Sequence, residues 1–198
     1  MYPDSLKNLI EAFKYLPSVG EKTAERFAFS IFDFDEDQIN LLKESLDDVR
    51  TKVHACSQCN VLTEDELCSI CSDDKRDANI LCVVEDVKSV FLFEKIGMFK
   101  GKYHVLNGLI SPLDGINPED IGIDKLLDRI HNENFKEIIF AFRPSIEGET
   151  TSLYIKKILD GLNIKITKLA NGVPIGADME YIDSLTLERA LNDRKEVS

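Results

Sequence analysis

Two cysteine pairs are the strongest chemical signal in the chain. Cys56 and Cys59, then Cys68 and Cys71, form two C-x-x-C knuckles separated by eight residues. A two-residue gap lets both sulfurs of a knuckle reach one ion, and four thiolates at about 2.3 Å close a tetrahedral shell around Zn²⁺. A closed shell leaves no place for water, so the ion is structural. A stretch this short has almost no core of its own and needs its metal to fold. Redox-active or free thiols are the alternative, disfavoured by the paired spacing, and iron is less usual there than zinc. The odd cysteine count does not resemble a secreted disulfide framework. The fifth, Cys82, lies in the apolar run Ile80 to Val84 and reads as a buried small hydrophobe.

Two further sets of side chains are candidates. Glu85 follows the apolar run that ends at Val84, and Glu147 and Glu149 follow a second run, Glu137 to Phe142. Acids at the carboxyl ends of buried parallel strands lie where open α/β sheets build their sites. Clustered carboxylates suit Mg²⁺; an acidic loop without metal is the alternative. Lys22 and Arg26 are four apart, hence on one helical face, beside the turn Leu16-Pro-Ser-Val-Gly20. Open amides and the positive dipole at a helix N-terminus capture phosphate there. A plain helical hairpin with a solvated basic face is the competing reading. Tyr103 and Tyr154 have no context that marks a nucleophile.

These residues need scaffolds. Leu6, Leu9, Ile10, Phe13 and Leu16 recur at helical spacing behind a Ser5 cap. After the turn, a second helix from Glu21 packs back through Ala24, Phe27 and Ala28. Residues 36–54 read as a third helix with Ile39, Leu42, Leu46 and Val49 inward. Strands at 80–84, 103–106, 137–142 and 164–169 alternate with helices at 87–96, 123–131 and 150–162, which implies a mainly parallel sheet. A glycine-rich segment, 172–178, leads to a helix from Leu185 to Leu191 and a charged end, Asp193 to Glu196. Past such a hinge, an apolar segment packs on a neighbouring subunit. The fold class is α/β and multi-module: 1–54 helical, 55–77 zinc-binding, 78–172 α/β, 173–198 a C-terminal oligomerisation arm.

Charge restricts the partners. A formal net charge of −12 disfavours tight DNA binding by bulk electrostatics. Residues 1–31 carry four basic and four acidic side chains, whereas 32–77 carry five and thirteen. A phosphate-binding face is therefore local and N-terminal. No apolar run approaches the roughly 20 residues that span a bilayer. The first ten residues lack the apolar stretch of a signal peptide. The cytosol is the expected compartment, with no membrane partner.

The hairpin resembles a helix-hairpin-helix, and the Glu85, Glu147-Gly-Glu149 pattern resembles a Toprim domain. Their order, with the four cysteines between them and an arm behind, resembles the RecR family of bacterial recombination mediators over nearly the whole chain. The matching stretches include Leu16 to Ala28, Val83-Val-Glu-Asp86, Gly101 to Leu106, Ser111-Pro-Leu-Asp-Gly115, Ile146-Glu-Gly-Glu149 and Gly172-Val-Pro-Ile-Gly176. Ser18 and Arg143 stand where the family commonly has Gly and Asn.

The resemblance implies a non-enzymatic clamp in recombinational DNA repair. Such proteins form dimers or tetrameric rings, hold single- and double-stranded DNA, and work with RecO and, in many species, RecF. They help load the recombinase onto single-stranded DNA in the bacterial cytosol, at the nucleoid. By residue, DNA contact falls on Lys22 and Arg26, and RecO association on the Toprim acids Glu85, Glu147 and Glu149. The alternative is a Mg²⁺-dependent Toprim nuclease or primase-like enzyme using those acids; a zinc-stabilised scaffold that binds only proteins is the third.

Overall fold

The computed structural model describes residues 2–170, 172–174 and 176–194, with Leu185 as backbone alone. Ile175 of the glycine-rich segment, and Lys195 and Glu196 of the charged end, lie outside the described residues. The chain forms two compact units that divide between Val53 and His54.

The first unit holds three helices, α1 (Asp4–Lys14), α2 (Glu21–Ser30) and α3 (Glu36–Lys52). Leu6 and Ile10 of α1 are buried against Ala24 and Ala28 of α2, with Leu9, Phe13 and Val19 around them. The two alanines let the helices approach closely, and Phe13 meets Phe27 edge to face at 5.7 Å between ring centroids. Ser5 does not cap α1: the helix starts two residues sooner than a Ser5 cap implies, at Asp4 behind Pro3, whose carbonyl accepts from Leu6 and Lys7. Leu16 falls past the end of α1 and is exposed rather than packed.

Ser18 explains why a glycine suits the turn. It sits in the left-handed region at φ 65°, while the Val19 amide donates to the Leu16 carbonyl at 3.1 Å. A β-carbon is unfavourable there by roughly 1 kcal/mol. Ser18→Gly is expected to raise the unfolding midpoint of this unit by a few degrees in a thermal melt, since about 1 kcal/mol shifts a small domain by roughly 4–8 °C.

α3 overturns one expectation. A reciprocal capping box between Asp35 and Gln38 starts it. No residue of this helix is buried: Leu42, Leu46 and Val49 are exposed, and Ile39 is only half-buried. Helical spacing specifies an apolar stripe, but not what covers it.

The second unit begins with a two-stranded antiparallel ribbon, β1 (His54–Ala55) and β2 (Leu62–Thr63). A four-stranded sheet follows: β3 (Asp77–Val84), β4 (Gly101–Val105), β5 (Glu137–Ala141) and β6 (Lys165–Lys168). Its order is β4-β3-β5-β6 and every neighbouring pair is parallel. The helices are α4 (Val87–Ile96), α5 (Ile123–Asn132), α6 (Ile146–Ile158) and α7 (Ser184–Asn192). Alternate residues of β3 serve opposite faces, as a pleated strand requires. Leu81 and Val83 join Leu126, Ile138 and Ile155 in one core. Cys82 and Val84 join Val90, Tyr103 and the zinc-module cysteines in the other. Burial on both faces is why the strand reads as a continuous apolar run, and burial alone pushes the Cys82 thiol up to about 12.

The zinc module does not stand apart from the sheet. It seals the outer edge of β4. Val105 donates to the Cys59 carbonyl at 2.9 Å, and the Asn60 side-chain amide returns a bond to the Val105 carbonyl at 2.8 Å. Arg129 and Arg76 cover the Tyr103 and Gly101 carbonyls at 2.7 and 3.2 Å. An unsealed edge would invite pairing with other chains.

His104 on β4 is fully buried, and its two ring nitrogens have no hydrogen-bond partner among the described residues. Burial, then the charges of Arg129 and Lys125, lower its pKa from 6.5 to about 3. Between those values the unfolded chain binds a proton that the folded chain does not, so stability falls as pH drops through this window. The slope approaches about 1.4 kcal/mol per pH unit. Urea titrations from pH 7 to 4 should show it, and His104→Leu should flatten it.

Candidate metal centre and nucleic-acid interface

All four knuckle sulfurs lie within 4.8 Å of one another, three of the cysteines being buried. Tetrahedral bonds of about 2.3 Å place sulfurs roughly 3.8 Å apart, and Cys59 and Cys68 Sγ are 3.5 Å apart. The knuckles repeat one local turn: Asn60 donates to the Cys56 carbonyl and Ser72 to the Cys68 carbonyl, at 3.1 and 3.0 Å. Asn60 takes the left-handed conformation that lets the first knuckle close. The Cys68 amide donates to Cys56 Sγ at 3.3 Å, so a backbone N–H is turned toward a ligand sulfur. Donor type, number and spacing therefore fit a structural Zn²⁺.

One supporting residue was not evident from spacing. Lys102, buried on β4, donates through Nζ to the carbonyls of Ile70, Cys71 and Asp73 at 2.9, 3.1 and 2.9 Å. It ties the second knuckle to the sheet. The strand read from the sequence begins at Tyr103, whereas β4 begins at Gly101 and so takes in Lys102; a buried lysine is nearly always paired.

The acids are distributed differently from a metal cluster. Glu85 leaves the end of β3, and its Oε2 accepts from the Arg143 amide at 3.4 Å and faces Arg143 Nε at 3.7 Å. Glu147 and Glu149 lie in the first turn of α6, not in a loop before it. Ser145 caps this helix by accepting from the Gly148 amide at 3.2 Å, so α6 begins four residues sooner than apolar spacing placed it. Glu149 pairs with Lys168 at 3.1 Å. The Ser145 hydroxyl, its own amide and nearby Arg143 hold the Glu147 carboxyl below its ordinary range. Among the described residues, only the four cysteines gather three or more ligand atoms close enough for one ion.

Gly148 between the two acids is a packing requirement. A β-carbon there would lie well inside contact distance of the Arg143 carbonyl oxygen. Gly148→Ala is expected to cost about 1–3 kcal/mol, visible as a lowered urea midpoint. Tyr103 is fully buried and donates to Glu94 Oε1 at 2.9 Å, which removes it as a nucleophile. Tyr154 lies on α6, partly exposed.

In the first unit, α2 opens towards solvent behind Gly20. Its first bonded amides are those of Thr23 and Ala24, both on the Gly20 carbonyl at 3.1 and 2.9 Å. The donors ahead of them mark the open end of the helix. Glu21 is drawn away by Lys14 at 2.7 Å, and Lys14 also binds Glu11. Lys22 and Arg26 lie on this helix outside its buried face, and no ion pair engages either among the described residues; Arg26 lies 5.5 Å from the Phe27 ring centroid.

A helical hairpin, a four-cysteine knuckle bound to a parallel sheet, and a short C-terminal helix follow one another along the chain. Family models match in the same order. The helix-hairpin-helix of RecR matches residues 6–50, and the four-cysteine zinc finger domain of RecR matches 53–73. A Toprim domain follows over 79–170 and the C-terminal region of RecR over 172–195. The chain is 47% identical to the protein called Recombination protein RecR of Natranaerobius thermophilus, across 99% of this chain and 98% of that one. It is 45% identical to that of Staphylococcus haemolyticus, across 99% of each. The chain belongs to the RecR family of recombination proteins, and its four clustered cysteines are the zinc finger of that family. No helix among the described residues is long and apolar enough to cross a membrane.

Proposed function

We propose that this protein is a non-catalytic DNA clamp that mediates recombinational repair in the bacterial cytosol, at the nucleoid. The carrying observation is the open end of α2, with Lys22 and Arg26 beside it and engaged in no ion pair among the described residues, in a unit whose first 31 residues are charge-neutral. One such site binds a phosphate weakly. Several copies around one strand or duplex act together through effective concentration, which suits a chain of net charge −12. The exposed stripe Leu42, Leu46 and Val49 supports self-association into a dimer or tetramer, with the C-terminal arm as the second contact. Glu85, Glu147 and Glu149 then serve as the acidic face for RecO, with RecF as a further partner, in loading the recombinase.

Light scattering of zinc-replete protein tests the clamp. A dimer or tetramer of the 22.4 kDa chain that gains mass with duplex DNA supports it; a monomer indifferent to DNA removes it. Labelled DNA should stay intact with Mg²⁺ or Mn²⁺. Cleavage that disappears in Glu147→Ala would replace the clamp by a Toprim nuclease.

A further inference from the structure

The two edges of the sheet are treated oppositely. The β4 edge is closed by the zinc knuckle, Asn60, Arg76 and Arg129, as described above. Among the described residues, β6 bonds to β5 on one side and to no strand on the other. The amides of Lys165 and Leu169 donate inward, to the carbonyls of Lys136 and Phe140. By strand alternation, those of Ile166 and Lys168 point outward.

Beside this open edge runs a groove of about 230 Å³ between β6 and α6. Phe140, Leu153 and Ile166 are its apolar lining, and Lys156, Lys168 and Glu149 its charged lining, with Glu149 already held by Lys168. The segment that supplies β5, α6 and β6 is basic against the trend of the chain: residues 134–169 carry six basic and four acidic side chains, in a protein of net charge −12. Lys156 and Lys157 form no ion pair among the described residues. Lys165 and Lys168 hold Glu137 and Glu149 at 3.3 and 3.1 Å, with both lysines at least half exposed. Exposed pairs of this kind exchange cheaply for a new carboxylate.

We propose that the β6 edge is a docking site for an extended acidic peptide of a partner protein, added as a fifth strand. Its backbone would pair with Ile166 and Lys168. Alternate side chains would enter the apolar groove, and its carboxylates would meet Lys156, Lys157, Lys165 and Lys168. Strand addition supplies affinity through the main chain and specificity through alternate side chains. Lysines also guard lone edges against aggregation; a guard role predicts no saturable peptide binding.

The test uses full-length zinc-loaded protein and a fluorescent peptide alternating glutamate with valine. Saturable binding is expected, with slowed hydrogen exchange at the Ile166 and Lys168 amides. K156E/K168E should weaken it about tenfold, each exposed charge contributing up to about fivefold. Lys168→Pro should bind more weakly than Lys168→Ala, because proline removes an outward donor without touching the β5 ladder. Absent saturation, or affinity unchanged in these variants, overturns the proposal. So does protection of the same amides by rising protein concentration alone, which assigns the edge to a second copy. Protection by oligothymidylate would assign it to nucleic acid and overturn it equally.

Discussion

Cys68→Ser, or metal removal by a strong chelator, is expected to lower the melting temperature of the second unit by about 10–20 °C. Structural zinc sites contribute on the order of 10 kcal/mol to small fingers. Here part of the knuckle is held by other contacts, so a loss of roughly 5 kcal/mol is the reasonable magnitude. At roughly 2–4 °C per kcal/mol for a domain of this size, that gives the stated shift. The loss should spread beyond the knuckle. Cys56, Cys59 and Cys68 are part of the core that contains Tyr103 and Val105. The Cys59 carbonyl holds the Val105 amide, and the Cys71 carbonyl holds Lys102. Hydrogen exchange should therefore accelerate along β4 while β5 remains protected. An unchanged melting temperature after verified metal loss would mean the sheet holds the knuckle, rather than the reverse.

The double variant K22E/R26E is expected to reduce DNA affinity at least ~100-fold at low salt, with zinc content, mass and helicity unchanged. Removing one phosphate-binding cation lowers the slope of log affinity against log salt by about one. In a multi-copy clamp the removal repeats in every subunit, so the salt dependence should flatten strongly. Both residues lie outside the small core of Leu6, Ile10, Ala24 and Ala28, so folding should be spared. Titration by fluorescence anisotropy across a salt series checks this. Unchanged affinity would move DNA binding off α2.

Local spacing makes some of these features legible and not others. The C-x-x-C repeat specifies its metal because two-residue gaps determine which sulfurs converge, and the structure brings the four together as expected. Turn chemistry was legible in part: Ser18 marks a left-handed position that glycine occupies without strain, but Pro3 and Ser145 set helix starts that apolar spacing misplaced. A cap acts through one side-chain or backbone contact, which periodicity does not record. That one contact at Ser145 moves Glu147 and Glu149 from a loop into a helix, where side chains two apart face different ways.

By itself, the sequence determined the ligands of the zinc ion, the parallel αβ alternation, the helical hairpin and the buried place of Cys82. Each depends on neighbours within a few residues or on a strand buried on both faces. Only the tertiary structure decided that the zinc knuckle closes the β4 edge while β6 has no second strand neighbour among the described residues, that Arg143 and Lys168 face Glu85 and Glu149, and that the α3 stripe lies exposed. These depend on which distant segments meet, and hydrophobic burial is non-directional: it selects an apolar face without naming its cover.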